Sequence, residues 1–428
     1  MKKLSFLIIM CLIPLVVACQ SNTQKKNLPI TIWVGAESVA FYQEKANEYL
    51  ETVFKVQNPG LNHPAIIVKP SDAATAANTF LLDTEEGVDI FTIPSDSLSE
   101  LVSGSSKIAP IFNSQLLAQI KADNYPNTLD LISLPLSGST SSSGKEVFGV
   151  PYVYQNLVLY YNKKVITDPS SWESILSATP PSSKAFTLAG NDSFSNSFLL
   201  MASKNGNFPI RIYRDGRLED VDLSNAEALK IIKYGQNLFT QGYDPNSMGA
   251  WASSVSEEKV LSVIGGAWHF KAASEAFGRN LGISILPTFT IDGETYHSGT
   301  FNDVKMFVQR VSSPNANYLQ AIMQYFSSIA VQDESFEVCD NLPAYQGAKE
   351  KLVGSSDHIN LALAQYNMIE YGLNQPFGKN KLMHEYFYNR RAHQIIIDVL
   401  MNARNLYITN EAIYNALLMV EKRWKTGE

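Results

Sequence analysis

The period of the apolar positions changes repeatedly along the chain. Residues 30–34 alternate in the manner of a β-strand, whereas residues 38–53 place their apolar side chains at helical spacing. Similar patterns predict a strand at 64–69, a helix at 72–82 and a strand at 88–93. Because strands that alternate with helices are typical of parallel sheets, we predict an α/β protein.

The second part of the chain continues this alternation. Residues 148–162 are a long strand-like run, and Ser170 and Glu173 have the spacing of a capping box, which predicts that a helix begins there. The remaining predicted elements are helices at 195–204, 224–240, 253–261, 315–329 and, almost without a break, from about residue 360 to the C-terminus, and strands at 281–286 and 304–309.

The most apolar segment lies at the N-terminus. Two lysines at positions 2 and 3 precede an almost unbroken apolar run over residues 4–17. A transmembrane helix needs about 20 apolar residues, so the run is too short to span a membrane. Residues 1–18 are therefore predicted to be a secretory signal peptide, and residues 19–28 a polar tether.

Cys19 follows this run directly, after small residues, in the position of a lipid-bearing cysteine in a bacterial lipoprotein. The alternative is an ordinary signal peptide with an incidental cysteine. If Cys19 is lipidated, Cys339 is the one thiol left in the folded part, and no internal disulfide is expected. We predict an exported protein that is anchored in the cell membrane by the lipid on Cys19 and faces outside the cytoplasm.

Composition narrows the function classes. The chain has 428 residues, 45% of them hydrophobic, which suits two or three domains or two lobes. It has 41 acidic against 34 basic residues and no long basic run, so we expect no nucleic-acid partner. Its sequence contains no G-x-S-x-G, H-E-x-x-H or nucleotide-binding glycine motif, so no catalytic residue, cofactor or metal is predicted.

Aromatic side chains next to polar groups are the remaining candidates for a binding site. Flat rings cover the apolar faces of sugar rings, while nearby carboxylates and amides bind hydroxyl groups. The competing interpretation is that these rings pack in the core. The candidate segments are 33–37, 152–156, 191–194, Trp251, 268–270 and 384–388.

Five short segments form a pattern that spans most of the chain. In order and spacing they resemble the maltose/maltodextrin-binding proteins, within the extracellular solute-binding family that supplies ABC importers. The segments are ITIWVG at 30–35, VDIF at 88–91 with Asp96 downstream, GVPY at 149–152 continuing to LYYNK at 159–163, GGAW at 265–268, and LPTF at 286–289 followed by 299–303.

The resemblance implies a fold. It is the two-lobed, type II periplasmic-binding-protein-like α/β fold, in which each lobe is a mainly parallel sheet flanked by helices. Crossing strands join the lobes, and the ligand lies in the cleft between them. The implied first lobe is 29–153 plus 302–345, and the second is 157–298 plus 350–428.

The resemblance also implies ligand contacts. The residues that match family sugar contacts are Glu37, Asp96, Phe194 and Trp268, and Trp251 falls near another family aromatic. We also expect ligand contacts from Tyr152, Gln155, Asp192, Asn302 and Tyr386.

Other positions depart from the family pattern. A basic residue of the family is Ser38 here, a tryptophan is Ile93, an arginine is Ser97, and the hinge-strand glutamate is Gln155. A charge-assisted hydrogen bond contributes about 1.5–3 kcal/mol, so these changes alter the ligand preference. The architecture is therefore better supported than maltodextrin itself.

Together these observations predict a lipid-anchored substrate-binding protein of an ABC transporter. It would capture a carbohydrate, a maltodextrin-like oligosaccharide, and deliver it unchanged to the permease; we expect a monomer. One alternative is a sensory or adhesive sugar-binding lipoprotein. Another is a surface glycan-active enzyme, which would need an acid pair such as Asp96 and Asp192.

Overall fold

The computed structural model describes residues 28–83, 87–102, 106–135, 144–190, 198–208, 222–374 and 390–426. The predicted signal peptide and Cys19 lie outside these ranges. None of the helices in the described ranges is both long enough and apolar enough to cross a membrane.

Each predicted strand is present in the structure, together with several strands that the sequence patterns did not predict. They are β1 Ile30–Val34, β2 Ile66–Pro70, β3 Ile90–Pro94, β4 Ser133–Pro135, β5 Lys145–Val147, β6 Gly149–Gln155, β7 Leu157–Asn162, β8 Thr187–Leu188, β9 Ser262–Gly266, β10 Leu281–Ser284, β11 Thr288–Ile291, β12 Glu294–His297, β13 Thr300–Gln309 and β14 Gly372–Asn374.

The helices separate these strands and cover the sheets. They are α1 Val39–Tyr49, α2 Lys55–Gln57, α3 Ala73–Leu82, α4 Leu98–Val102, α5 Ser114–Asp123, α6 Pro126–Leu131, α7 Trp172–Ala178, α8 Ala226–Gly242, α9 Trp251–Ser256, α10 Phe270–Phe277, α11 Ala316–Phe326, α12 Ile329–Cys339, α13 Asp357–Met368, α14 Arg390–Leu400 and α15 Asn410–Thr426.

Several sequence predictions differ from the structure. A helix is predicted at 195–204, but its described residues, 198–204, form turns and isolated bridges. Helix α7 is capped by Ser171, whose hydroxyl accepts the N–H of Ser174, and not by Ser170. The predicted C-terminal helix is interrupted by strand β14, and Asn402, Arg404 and Asn405 have positive φ between α14 and α15. The spacing of apolar residues does not reveal such left-handed residues, because they end a helix through their backbone conformation and not through their hydrophobicity.

The first sheet has the order β14-β13-β3-β1-β2, with β6 paired to β13. Strands β1, β2 and β3 are parallel, whereas β13 runs antiparallel to β3 and β6. Tyr42 of α1 is fully buried against this sheet, where its ring meets those of Tyr152, Phe307 and Phe326. These contacts give the first lobe its own aromatic core.

The second sheet has the order β10-β7-β9-β8. Its central strand β7 is buried on both faces: Leu157 and Leu159 join one apolar cluster, while Val158 and Tyr160 join another. The fold-class prediction is confirmed, but the pairing of this sheet differs in detail. Strand β7 is antiparallel to both β9 and β10. Among the described strand pairs of this second sheet, only β8–β9 is parallel.

Three segments pass between the two cores. Asn156 lies alone between β6 and β7, where the chain leaves the first sheet for the second. Strand β13 places Phe301 in the second core and Val304 in the first. Helix α13 contacts both cores, and its buried Gln365 exchanges hydrogen bonds with Asn156 in both directions, at 2.8 and 3.1 Å.

Candidate functional site: the interlobe cavity

A cavity of about 1000 Å³ lies between the two lobes. Its first wall is formed where β1, β2 and β3 end, by residues 35–37 and 70–74 and by Pro94 and Asp96. Its second wall is formed by Ala267, Trp268, Phe270 and Lys271, which follow β9. In open α/β sheets, the crevice outside the carboxyl ends of the strands is the usual ligand site.

Two acidic side chains of the first wall lie on short helical turns. Glu37 is in the turn Ala36–Ser38 after β1, and Asp96 is in the turn Ser95–Ser97 after β3. A side chain at Gly35 would collide with the Glu37 carboxylate, so glycine allows that carboxylate to fold back over the backbone. Asp96 accepts a hydrogen bond of 3.0 Å from the Ser97 hydroxyl. Both carboxylates are available as acceptors for ligand hydroxyl groups.

Tyr152 and Gln155 of β6 form part of the floor of the cavity. The Tyr152 ring packs 4.4 Å from that of Phe307, and burial raises the pKa of its phenol well above the ordinary value. The Tyr152 hydroxyl therefore stays protonated, and can donate a hydrogen bond, throughout the physiological pH range. The Gln155 carboxamide donates to the carboxylate of Asp303.

Trp268 is the exposed aromatic ring of the second wall. It lies in the turn Ala267–His269 after β9, and 46% of its surface is exposed. A side chain at Gly266 would collide with the indole, so the ring lies directly over the glycine backbone. His269 closes this turn by accepting the N–H of Gly266 at 3.3 Å. The arrangement presents a flat apolar surface toward the cavity.

The cavity contains residues that the sequence analysis did not identify as ligand contacts. The side chains are those of Asp303 and Lys305 on β13, Lys271 at the start of α10, and residues 339–342 at the end of α12. For Asp303 and Lys305 a signal exists, because these two charged residues flank the apolar Val304, where a predicted strand begins. Lys271 has no comparable signal in the sequence.

Asp303 is the most perturbed carboxyl group of the cavity. Burial, and then the neighbouring charge of Asp96, raise its pKa to about 7, although hydrogen bonds from Ser95 and Gln155 act in the opposite direction. The cavity wall also includes Glu37, Asp72 and Asp340, so it has more acidic than basic side chains. In the described part of the chain, no cluster of three or more His, Cys, Asp or Glu residues is arranged to hold a metal.

Five of the predicted contact residues thus meet at one cavity, namely Glu37, Asp96, Tyr152, Gln155 and Trp268. Two others do not line it. Trp251 is 8% exposed and packs edge-on against His269, behind Trp268. Asn302 is buried on β13, and its amide donates to the backbone oxygen of Ile369.

The remaining predicted site residues lie outside the described ranges. They are Asp192, Phe194, Tyr386 and the predicted lipid anchor Cys19.

A family model for bacterial extracellular solute-binding proteins matches residues 53–360, which is more than half of the chain. The chain belongs to this family. The predicted family is therefore confirmed, and it is a family of solute-binding proteins and not of enzymes.

Relatives within this solute-binding family agree on the architecture. A maltooligosaccharide ABC transporter solute-binding lipoprotein of Streptococcus pneumoniae is 24% identical over 371 residues, 82% of each chain. The maltodextrin binding protein MalE1 from L. casei BL23 superimposes with a TM-score of 0.73 at 16% identity, over 93% of this chain and 99% of that one. MalX from Streptococcus pneumoniae, solved with maltopentaose, gives 0.67 at 20% identity, over 92% and 99%.

Proposed function

We propose that this protein is the lipid-anchored substrate-binding component of an ABC importer and that it captures a maltooligosaccharide. The observation that supports this most is the composition of the cavity, in which the exposed ring of Trp268 lies on one wall and acceptors such as Glu37 and Asp96 lie on the other. A sugar ring has an apolar face and a rim of hydroxyl groups, and it fits between two such walls.

Ligand capture would close the two lobes around the sugar. We propose lobes of 29–153 plus 302–345 and 157–298 plus 350–428. Their connection through Asn156, β13 and α13 is a set of narrow crossings, at which a small backbone change reorients a whole lobe. A ligand that contacts both walls shifts the population toward the closed form, which the permease then recognises.

The proposed function includes no chemistry on the ligand. A glycan-active enzyme would require two cooperating carboxyl groups across the cleft, such as the pair Asp96 and Asp192 considered above. Because the chain belongs to a family of solute-binding proteins, we expect instead that bound oligosaccharide is released with its chain length unchanged. The protein would act as a monomer outside the cytoplasm, held at the membrane by a lipid on Cys19.

Calorimetric titration of the mature protein with maltopentaose tests this function. We expect saturable binding, quenching or shifting of tryptophan fluorescence, and an increase in melting temperature, because ligand at 100 times its dissociation constant stabilises the folded state by about 2.7 kcal/mol. Cellopentaose, with a different linkage, is the control. If maltooligosaccharides of two to seven units neither bind nor stabilise the protein, the assignment is wrong. Shortened products in the recovered ligand would favour the enzyme instead.

The anchor needs a separate test in the native host. We expect that the full chain incorporates a labelled fatty acid and stays with the membrane, and that Cys19→Ala abolishes both. Cys339→Ala serves as the control, because it changes the other cysteine of the mature chain. Lipid incorporation that survives Cys19→Ala would contradict the anchor.

A further inference from the structure

Asp303 lies at the junction of three elements that meet below the cavity. It stands on β13 directly opposite Gln155 of β6 in the antiparallel register. Ser95, the first residue of the turn after β3, closes the third side. The carboxyl group is 1% exposed, yet both Asp303 and Gln155 border the cavity.

The two oxygens of Asp303 have different partners. Oδ1 accepts both the backbone N–H of Ser95, at 2.9 Å, and the Ser95 hydroxyl. Oδ2 accepts the Nε2–H of Gln155. An ionised carboxylate can only accept hydrogen bonds, so it holds the nitrogen of the carboxamide toward itself and leaves the Gln155 oxygen on the opposite side.

Charged or titratable groups lie near Asp303 on each neighbouring element. Asp96 approaches from the turn after β3, and Lys305 lies two positions further along β13 in the same cavity wall. On β6, the buried phenol of Tyr154 is the adjoining titratable group. Because burial and Asp96 raise the pKa of Asp303 to about 7, both protonation states are populated near neutral pH.

We propose that Asp303 is a positioning residue that decides whether Gln155 offers the ligand a hydrogen-bond acceptor or a donor. Oδ1 already accepts two hydrogen bonds from Ser95, so a proton taken up from solvent binds to Oδ2. The new O–H then donates to the Gln155 oxygen, and the carboxamide turns its nitrogen toward the cavity. A ligand hydroxyl that donates to Gln155 in the ionised state loses its acceptor in the protonated state.

The consequence for ligand binding rests on the proposed function. The ionised state holds Gln155 by a charge-assisted hydrogen bond and is therefore the better preorganised one. Exchange of one acceptor for a donor changes affinity by about 3- to 10-fold. We expect maltopentaose to bind that much more weakly at pH 5.5 than at pH 8.5, with a midpoint near pH 7.

Calorimetric titrations with maltopentaose across this pH range compare the wild type with Asp303→Asn. Asparagine accepts from Ser95 through its oxygen and donates to Gln155 through its nitrogen, so it imitates the protonated state. We expect its affinity to equal that of the wild type at pH 5.5 and to stay constant up to pH 8.5. A wild-type curve that is flat, or that rises toward acid, overturns the proposal. So does a pH dependence that persists in Asp303→Asn, because another titratable group would then cause it.

Asp89→Asn is the matched control. Asp89 is also buried in the first lobe and also accepts a backbone N–H, from Thr31, and a serine hydroxyl, from Ser313, but it does not border the cavity. We expect this variant to keep the pH dependence of the wild type. Loss of that dependence in Asp89→Asn would mean that any buried carboxylate of this lobe has the same effect, and it would overturn the specific role of Asp303.

A measurement without ligand separates this inference from the proposed function. The side-chain amide resonances of Gln155, identified by their loss in Gln155→Leu, should move with a midpoint near pH 7 in the wild type and stay in place in Asp303→Asn. Resonances that do not move between pH 5.5 and 8.5 overturn the inference. If maltopentaose fails to bind at every pH while the resonances still titrate, the proposed ligand is wrong and the role of Asp303 stands.

Discussion

The two walls of the cavity are built on different principles. The first wall consists of polar side chains, such as Glu37 and Asp96, on turns after buried strands. Hydrogen bonds of the neighbouring Asp303 with Ser95 and Gln155 tie its last turn to the floor of the cavity. The second wall is dominated by the half-exposed ring of Trp268, which lies over a glycine backbone. Hydrogen bonds orient a ligand, whereas an exposed ring gains most when closure removes it from water. We therefore expect the first wall to contribute mainly to the specificity of ligand binding and the second wall mainly to its affinity.

Removal of the Trp268 ring should have the largest effect. We expect Trp268→Ala to weaken maltopentaose binding by about 100-fold, the effect of an aromatic hot spot worth about 2–3 kcal/mol. The melting temperature of the free protein should hardly change, because the ring is 46% exposed. Phe112→Ala, at an exposed ring outside the cavity, is the control for both measurements. A large loss of stability with little change in affinity would show that Trp268 serves packing.

Neutralisation of one acceptor in the first wall should have a smaller effect. We expect Asp96→Asn to weaken binding by roughly 10-fold, because it replaces a charge-assisted hydrogen bond with a neutral one. Asp292→Asn removes an exposed carboxylate that pairs with Lys230 far from the cavity, and it should leave affinity unchanged. Equal affinities for both variants would contradict a role of Asp96 in ligand binding.

Trp251 is expected to act on the second wall indirectly. Its ring contacts His269, which in turn contacts Trp268, with centroid separations of 5.9 and 5.5 Å. We expect Trp251→Phe to change affinity by about 3-fold at most and to lower the melting temperature, since the indole is buried. A loss of affinity as large as that of Trp268→Ala, with unchanged stability, would favour direct ligand contact.

The last prediction concerns folding stability and its dependence on pH, and not ligand affinity. Burial raises the pKa of Asp303 to about 7 from an ordinary value near 3.8, so the folded state binds the proton more tightly than the unfolded state. This group therefore destabilises the wild type progressively as pH rises from about 4 to 7. The melting temperature of Asp303→Asn should rise relative to the wild type over the same interval, by about 2–4 °C for each kcal/mol. A constant difference would contradict the raised pKa.

Sequence patterns predicted the first wall more completely than the second. Glu37 and Asp96 each follow a recognisable strand, so their meeting at one sheet edge could be expected from parallel topology. Trp251 and Trp268 looked alike in the sequence, yet one is buried and the other is exposed. Burial of a ring depends on the elements that pack over it, and these are distant along the chain.

The cap of α7 shows the same limit at short range. Ser170 and Ser171 are adjacent, and capping-box spacing pointed to Ser170. In the structure the carbonyl oxygen of Ser170 accepts hydrogen bonds from the backbone N–H and the hydroxyl of Thr288, and Ser171 caps the helix instead. A contact with a residue 118 positions away thus decided between two neighbouring serines.

The sequence by itself determined the α/β class, the family and the polar residues that end the first strands, and it predicts the export signal and the lipid site. These features follow from local periodicity and short motifs, which depend on neighbouring residues alone. Only the tertiary structure decided that Asp303 faces Gln155, 148 positions earlier in the chain, and that both are buried below the cavity. That contact depends on the register of β6 against β13, and the raised pKa of Asp303 depends on the burial that this pairing creates.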